Sequence, residues 1–371
     1  MLLQLNNLLR KRLEARMLEG TLRSLKYTSG LVDFTSNDYL GLALDTDGRS
    51  PEKLSRGSTG SRLLTGHSEP IESLENKIAK YHHAEAALIF NTGYAANQGL
   101  MDSLLKEDVS VIYDLHCHAS VQDGLRFTKG KSYPFFHNDT KHLKKRLEDV
   151  RKKRHPIFVV VESVYSMDGS LAPLKEMSAL CDEYGAGLIV DEAHAIGVYG
   201  KKGEGRVVAE GIEDKVFARV LAYGKAFGVF GGAVLGSQLL KQYLINFARP
   251  FCYSTALPPY AIKAIDISYS KIHEADTQRN KLFALISYFE SLSRQYSLVK
   301  DFHFSPIQSM VIPGNSRVKA AAMALATEGY DVRPILSPTV KKGQEILRLI
   351  LHSFNTPSQV ESLLHLLKGH L

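Results

Sequence analysis

The chain has 371 residues, a length that predicts two or three domains. Its content of 44% hydrophobic and 23% charged residues is ordinary for a soluble globular enzyme, and no apolar run reaches the roughly 18 residues that a membrane-spanning helix needs. The three cysteines are scattered and form no C-x-x-C pair, so we expect neither disulfides nor a zinc site, and a cytoplasmic location.

The first predicted unit is an N-terminal arm over residues 1–45. Leucines recur at helical spacing through Met1–Met17, and acidic residues in and just after this stretch argue against a targeting peptide. We therefore expect a folded amphipathic helix, then a strand at Leu31–Thr35 and the loop Ser36–Gly41.

Strands and helices alternate through a predicted large domain, residues 46–250. The strand-like runs are short and continuously apolar, which is typical of a mostly parallel α/β sheet with helices on both faces. The predicted strands are Ala86–Phe90, Val109–Tyr113, Ile157–Val161, Gly187–Val190, Val216–Ala222 and Ala233–Leu235; the predicted helices are Tyr94–Leu105, Lys141–Arg154 and Lys175–Tyr184.

One predicted helix of this domain carries much of the net charge of +7. We interpret its basic residues as a solvated helix face. The alternative is a docking patch for nucleic acid or for the acidic carrier of an acyl substrate. The residues are Lys141, Lys144, Lys145, Arg146, Arg151, Lys152, Lys153 and Arg154.

The remainder, residues 251–371, is predicted to hold a long helix and a small C-terminal α+β domain. The helix begins at Pro258-Pro259 and extends to about Arg294. In the small domain we predict strands at Met310–Ile312, near Val332 and at Leu347–Leu351, and helices at Val318–Glu328 and Ser358–Leu367.

A lysine between glycines is the first candidate catalytic residue. Lys225 follows the strand Val216–Ala222 within Tyr223-Gly224-Lys225-Ala226, and Asp191 and His194 follow an earlier strand. A lysine can hold pyridoxal phosphate (PLP) as a Schiff base, and an aspartate can pair with its pyridinium nitrogen. Because ligands bind beyond the carboxyl ends of parallel strands, we predict a PLP site there.

Other polar residues also follow predicted strands. Gly93 and Tyr94 open a helix, where backbone N–H groups and the helix dipole favour a phosphate. His118 offers a flat ring for stacking on the cofactor, and Ser166 offers a hydroxyl for its ring oxygen. A metal site at His116–His118 is the competing interpretation, but there is no second ligand cluster with zinc-like spacing.

Taken in order, these motifs resemble the α-oxoamine synthases, a family of fold-type I, aminotransferase-like PLP enzymes. The resemblance covers nearly the whole chain and implies a mostly parallel, seven-stranded central sheet and a homodimer. The matching stretches are Ser36–Gly41, Gly57–Arg62, Asn91–Gly99, His118–Ser120, Ser166–Gly169, Asp191–Gly197, Gly224-Lys225, Tyr253–Thr255 and Pro338-Thr339.

The resemblance also implies a role for each site residue. Lys225 is the Schiff-base lysine and proton donor, and Asp191 binds the pyridinium. The remaining implied roles are these: His118 stacks on the ring, Ser166 and His194 contact its oxygen, Gly93 and Tyr94 bind the phosphate, Ser254 and Thr255 bind it from a neighbouring subunit, Arg348 binds the amino-acid carboxylate, and Arg23 and Thr339 contact the acyl substrate.

One position departs from the family pattern. The family usually has a hydroxyl residue three positions before the lysine, where this chain has Ala222. A missing charge-assisted hydrogen bond costs about 1.5–3 kcal/mol of cofactor affinity. Water or Tyr223 is the candidate replacement.

Within the family, Gly57–Ser68 is most similar to the 8-amino-7-oxononanoate synthases of biotin biosynthesis. That similarity implies condensation of L-alanine with a pimeloyl thioester of coenzyme A or acyl carrier protein, with loss of CO2. Glycine C-acetyltransferase is the alternative, followed by 5-aminolevulinate synthase and serine palmitoyltransferase. An inactive partner subunit of the same family also remains open.

A nucleic-acid ATPase is a more remote alternative. Asp191-Glu192-Ala193-His194 spells a DEAH box, but that reading needs a phosphate loop of the form G-x-x-x-x-G-K-[ST]. The nearest stretch, Gly130-Lys131-Ser132, has Leu125 where the first glycine belongs. We therefore expect no nucleic-acid partner and no membrane partner.

Overall fold

The computed structural model describes residues 2–23, 30–43, 54–105, 108–126, 130–298 and 302–369. The helices are α1 Leu2–Leu18, α2 Glu69–Tyr81, α3 Gly93–Leu104, α4 Ala119–Arg126, α5 Thr140–Arg151, α6 Leu174–Tyr184, α7 Arg206–Ala209, α8 Gln238–Phe247, α9 Arg249–Cys252, α10 Pro259–Glu274, α11 Asp276–Gln295, α12 Asn315–Thr327 and α13 Pro357–Lys368. The strands are β1 Val32–Asp33, β2 Ala86–Phe90, β3 Ser110–Asp114, β4 Lys131–Phe135, β5 Ile157–Glu162, β6 Gly187–Asp191, β7 Val216–Ala222, β8 Gly232–Gly236, β9 Ile307–Val311, β10 Tyr330–Asp331, β11 Arg333–Ile335 and β12 Ile346–Ile350.

The chain forms two compact units. The larger comprises Asn37–Ser166 and Ser170–Lys281, and the smaller comprises Met1–Ser36, Met167–Gly169 and Leu282–Leu371. The first and last residues of the smaller unit, like the gaps given above, lie outside the described residues. The division into domains after residues 45 and 250 stays a prediction.

A seven-stranded sheet forms the centre of the larger unit, in the order β2-β8-β7-β6-β5-β3-β4. Strand β8 runs antiparallel to its neighbours β2 and β7, and the other adjacent pairs are parallel. The predicted mostly parallel, seven-stranded sheet is confirmed. The apolar-run criterion does not pick out β4, because this edge strand contains Lys131, Ser132 and Pro134.

Alternate residues of the central strands enter two different cores. Val160 of β5 and Ile189 of β6 belong to a core with residues of α3, α4 and α8, whereas Val159 and Leu188 belong to one with residues of α5 and α6. Successive side chains of a strand point to opposite faces, so helices cover both faces of the sheet. This explains why the strands appear in the sequence as unbroken apolar runs.

The predicted long helix after Pro258 is interrupted, which corrects the sequence interpretation. Helix α10 ends at Glu274 and α11 begins at Asp276, with Ala275 between them in a non-helical conformation. The Arg279 guanidinium donates to the Ile272 carbonyl over 2.7 Å and so provides a partner for a carbonyl near the end of α10. Periodicity alone does not reveal such a break.

The smaller unit contains an antiparallel sheet in the order β11-β12-β9 and a short parallel pair of β1 with β10. A capping box at Thr356 and Gln359 starts α13. No helix among the described residues is long and apolar enough to cross a membrane.

Candidate active site

A cavity of about 250 Å³ in the larger unit brings together six of the predicted site residues. They are Gly93, Tyr94, His118, Asp191, His194 and Lys225. Asp191 ends β6 and Ala222 ends β7, and parallel strands bring their carboxyl ends to one edge of the sheet. The fold therefore brings together side chains that are more than a hundred residues apart in sequence.

Two donors fix the carboxylate of Asp191, which is only 5% exposed. Asn97 Nδ2 donates to one oxygen over 2.6 Å, and the backbone N–H of Ala193 donates to the other over 2.8 Å. Both donors act on a carboxylate, so they hold its orientation toward the cavity. Sequence reasoning did not identify Asn97, which lies in α3 within a matched stretch but had no assigned role.

The tautomer of His118 follows from its neighbours. The backbone N–H of Ser120 donates to His118 Nδ1 over 3.2 Å, and the Ser120 hydroxyl lies 2.8 Å from the same nitrogen. Nδ1 is therefore an acceptor, and in the neutral ring the proton is on Nε2. Burial lowers the pKa of His118, with Lys225 acting in the same direction and Asp191 opposing it. A neutral, flat ring thus lines the cavity.

Glu162 is a site residue that sequence reasoning missed. It ends β5, lines the cavity, is 2% exposed, and accepts the backbone N–H of His118 over 2.5 Å. Burial raises the pKa of Glu162 well above its usual range, and the nearby Asp191 charge raises it further. The available signal was an acidic residue at the end of a buried strand, where a charge is otherwise unfavourable.

A tight turn fixes the position of Lys225 at the end of β7. Gly228 N donates to the Lys225 carbonyl over 2.8 Å, and Val229 N donates to the Tyr223 carbonyl over 3.0 Å. Gly228 has a φ of +65°, and a Cβ there would lie 2.4 Å from the backbone nitrogen of Ala43. Only glycine fits this contact, so the turn packs directly against the segment that follows Tyr39.

The start of helix α3 opens onto the cavity through Gly93. Thr92 caps the helix and accepts from Ala95 N over 3.0 Å, and it also lines the cavity. A Cβ on Gly93 would lie 2.6 Å from that of Ala222, so α3 begins in close contact with the end of β7. The arrangement fits a phosphate: a capped helix N-terminus without a blocking side chain. The Tyr94 hydroxyl donates to Asp123.

The other predicted site residues are not among those that line this cavity. Ser166 follows β5, and its backbone N–H bonds to Glu162. Ser254 and Thr255 line a separate recess with Arg62 and Asn91. Arg23, Thr339 and Arg348 belong to the smaller unit, where Arg348 lies in β12; the substrate roles of these three stay predictions.

The residues of the DEAH sequence are divided between the cavity and a buried turn contact. Glu192 is fully buried and accepts the backbone N–H of Val207 over 3.0 Å, so its carboxylate supports the turn after β6. Asp191 and His194 line the cavity together with Lys225. This arrangement gives the nucleic-acid ATPase alternative no support.

The basic helix α5 makes contacts typical of a solvated face. Lys144 lies 3.5 Å from Glu183, Lys152 lies 3.2 Å from Asp149, and Lys153 lies over the Tyr133 ring. Because α5 follows β4, its first turn lies at the carboxyl edge of the sheet and its basic last turn at the opposite edge. The basic residues of α5 therefore extend from one edge of the sheet toward the other.

Comparisons with known proteins agree with this geometry. The family model described as aminotransferase class I and II matches residues 29–367. An 8-amino-7-oxononanoate synthase of Anaeromyxobacter dehalogenans is 38% identical over 339 residues, 90% of this chain and 85% of that protein. One from Alkalilimnicola ehrlichii is 37% identical and covers 97% of this chain and 96% of its own length.

Solved structures extend the similarity to the fold. A serine palmitoyltransferase from S. paucimobilis with bound PLP-myriocin aldimine has a TM-score of 0.90 at 26% identity, over 100% of this chain and 98% of that one. An 8-amino-7-oxononanoate synthase from Francisella tularensis has a TM-score of 0.78 at 28% identity, over 92% and 98%. The predicted aminotransferase-like fold of the PLP enzymes is confirmed. The chain belongs to the aminotransferase class I and II family.

Proposed function

We propose that this chain is a PLP-dependent acyltransferase that condenses L-alanine with a pimeloyl thioester and releases CO2, as an 8-amino-7-oxononanoate synthase. The observation that carries the proposal is one cavity lined by Lys225, Asp191 and the N-terminus of α3. Relatives of that name, 35–38% identical over most of the chain, support the choice of reaction.

The residues of the cavity fit PLP in three respects. Lys225 supplies an amine, Asp191 supplies a fixed carboxylate, and Gly93 leaves the start of α3 accessible to a phosphate. Bound PLP would supply an aldehyde for the amine and an electron-withdrawing ring. Thr92 already accepts from Ala95, so its hydroxyl proton can replace the phosphate donor that Ala222 lacks.

Each residue then has a defined task. Asp191 would hold the ring nitrogen of PLP, and a protonated ring would supply the electron-withdrawing chemistry. Lys225 would hold the cofactor through its amine and would move the proton at the substrate Cα. His118 presents its flat, neutral ring to the cofactor, and His194 contacts the ring oxygen. Arg348 binds the substrate carboxylate, and Arg23 and Thr339 contact the acyl chain.

We also propose a homodimer in the cytoplasm. Ser254 and Thr255 line a recess of their own, and the neighbouring Tyr253 is 76% exposed. These residues suit a role at the site of a second copy, as the family resemblance implies. Three unpaired cysteines are consistent with a reducing compartment.

Serine palmitoyltransferase is the second candidate, because structures of that name have TM-scores near 0.90 with this chain. Spectral titration distinguishes the two. The purified, PLP-loaded chain is titrated with alanine, glycine and serine, and then supplied with pimeloyl and palmitoyl thioesters. We expect the largest spectral change with alanine and turnover with the pimeloyl donor. A preference for serine and palmitoyl donor supports the second candidate, and a colourless chain that takes up no PLP refutes both.

A further inference from the structure

Tyr39 makes a short side-chain contact with His194, one of the predicted catalytic residues. Its hydroxyl lies 2.5 Å from His194 Nδ1, and the phenol is 0% exposed. Tyr39 is in the Ser36–Gly41 loop, a stretch that contributed to the family resemblance but had no chemical role. Its hydroxyl is also 3.1 Å from Asn37 Oδ1.

The loop that carries Tyr39 is held firmly. Gly41 N donates to the Asp38 carbonyl over 3.0 Å, and Ala43 N donates to the Asp38 carboxylate over 3.1 Å. The backbone of Ala43 packs directly on Gly228 in the turn that carries Lys225. One short segment therefore contacts both His194 and the lysine turn.

The proton on the Tyr39 hydroxyl determines the tautomer of His194. A phenol has one proton to donate, and either Asn37 Oδ1 or His194 Nδ1 can accept it. Donation to Asn37 leaves the imidazole proton on Nδ1 and makes Nε2 an acceptor. Donation to Nδ1 puts the imidazole proton on Nε2. The contact with Nδ1 is the shorter by 0.6 Å, and donation to Nδ1 leaves the 3.1 Å contact between the phenol oxygen and Asn37 Oδ1 without a proton.

We propose that Tyr39 is a positioning residue that donates to His194 Nδ1 and so holds the ring as its neutral Nε2–H tautomer. This inference rests on the proposed function, in which His194 serves the ring oxygen of PLP. An Nε2–H group stabilises negative charge on that oxygen, whereas a bare Nε2 repels it. Tyr39 thus determines whether His194 can act as a donor in the cavity.

A second tyrosine provides a matched control. Tyr269 is also buried and lies 2.9 Å from the ring nitrogen Nε2 of His82, whose Nδ1 lies 2.8 Å from the Glu204 carbonyl. A carbonyl only accepts, so Nδ1 carries the proton and Tyr269 donates to Nε2. Tyr269→Phe therefore removes an equivalent tyrosine–histidine hydrogen bond that does not line the cavity.

The first measurement uses the chain without PLP. Nitrogen NMR of ¹⁵N-histidine-labelled protein, with His194 assigned by His194→Asn, reports which ring nitrogen is protonated. We expect a protonated Nε2 and a bare Nδ1 in the wild type, and a shift of both resonances in Tyr39→Phe but not in Tyr269→Phe. A protonated Nδ1 in the wild type overturns the inference, even if Tyr39→Phe does not fold.

The second measurement uses the PLP-loaded chain. We expect Tyr39→Phe to move the pH midpoint of the visible cofactor band and to lower kcat by roughly tenfold or more. Direct loss of one donor to a developing charge costs about 10²–10³-fold, and Tyr39 acts only through His194. In a His194→Asn background Tyr39→Phe should add nothing, because the two residues act as a unit. Additive effects, or an unmoved midpoint, overturn the inference. If the wild-type chain does not bind PLP, the proposed function is refuted, and the NMR result on the chain without PLP remains valid.

Discussion

Glu162 and Asp191 end adjacent parallel strands and are paired in register, so two buried carboxyl groups line one cavity side by side. Their environments separate their roles. Asn97 and a backbone N–H bind both oxygens of Asp191, whereas burial and the Asp191 charge raise the pKa of Glu162 well above its usual range. The carboxylate of Asp191 is held in place by two donors, and the carboxyl of Glu162 favours its protonated form.

Because the pKa of Glu162 is raised, we predict that the free energy of unfolding of the chain depends on pH above the ordinary range of a glutamate. Above the ordinary glutamate pKa of 4.5, the folded chain keeps a proton that the unfolded chain has lost. The free energy of unfolding therefore falls as pH rises through that window. Glu162→Gln should flatten this fall, measured by urea unfolding from about pH 5 to about pH 9. The exposed Glu148→Gln is the control, and a slope equal to that of the wild type would contradict the prediction.

A second prediction is that the chain loses stability in acid because His82 is buried. Burial lowers the pKa of His82 from 6.5 to about 3, with the nearby Arg219 charge acting in the same direction. Between these values the unfolded chain takes up a proton that the folded chain does not, so the free energy of unfolding falls as pH drops through the window. His82→Gln should reduce that slope in urea unfolding. The exposed His365→Gln should not, and equal slopes in both variants would count against a buried, neutral His82.

Lys225 is predicted to be indispensable for turnover. Lys225→Ala removes the amine that holds the cofactor and moves the substrate proton, so we expect kcat to fall by about 10⁴-fold or more. PLP should still bind weakly, because Asp191 and α3 remain. Activity and the visible spectrum after borohydride reduction are the measurements. The exposed Lys215→Ala is the control, and turnover at the wild-type rate in Lys225→Ala would exclude the assigned role.

The contact between Gly93 and Ala222 predicts opposite effects of two substitutions on PLP affinity. A Cβ at Gly93 would lie 2.6 Å from that of Ala222, so Gly93→Ala should shift the start of α3 and weaken binding. Ala222→Ser adds a hydroxyl near the same helix and should tighten binding by about tenfold or more, for a hydrogen bond of about 1.5–3 kcal/mol to a charged group. Fluorescence titration with PLP measures both.

The control for these two substitutions is Gly57→Ala, where a Cβ would contact nothing within 4 Å. It should leave PLP affinity unchanged. If Gly93→Ala binds PLP as tightly as Gly57→Ala, then the N-terminus of α3 does not hold the phosphate.

Arg348 is predicted to bind the substrate carboxylate. Loss of such a charge-assisted hydrogen bond costs about 1.5–3 kcal/mol, so Arg348→Ala should raise the KM for alanine by about 10- to 150-fold. The KM for the thioester should change little. The control, Arg294→Ala, removes an exposed arginine that pairs with Glu290 in the same unit. Equal KM values for alanine in both variants would remove Arg348 from the site.

The sequence alone determined six of the seven strands of the central sheet and six of the residues that line the cavity. Strands buried on both faces must be apolar along their whole length, so their positions show directly, and polar residues just after them mark the carboxyl edge. Lys225, Asp191, His118 and His194 were found in this way. The sequence also showed the unusual Ala222, because a motif fixes its spacing from Lys225.

Only the tertiary structure decided how these residues are supported. Glu162 belongs to the site because β5 and β6 pair in register, and Asn97 because α3 packs on the sheet over β7 and β8 and its side chain donates to Asp191. Tyr39 reaches His194 across 155 positions of sequence. Hydrogen bonds of this kind depend on side chains brought together by packing, and local sequence patterns contain no information on such distances.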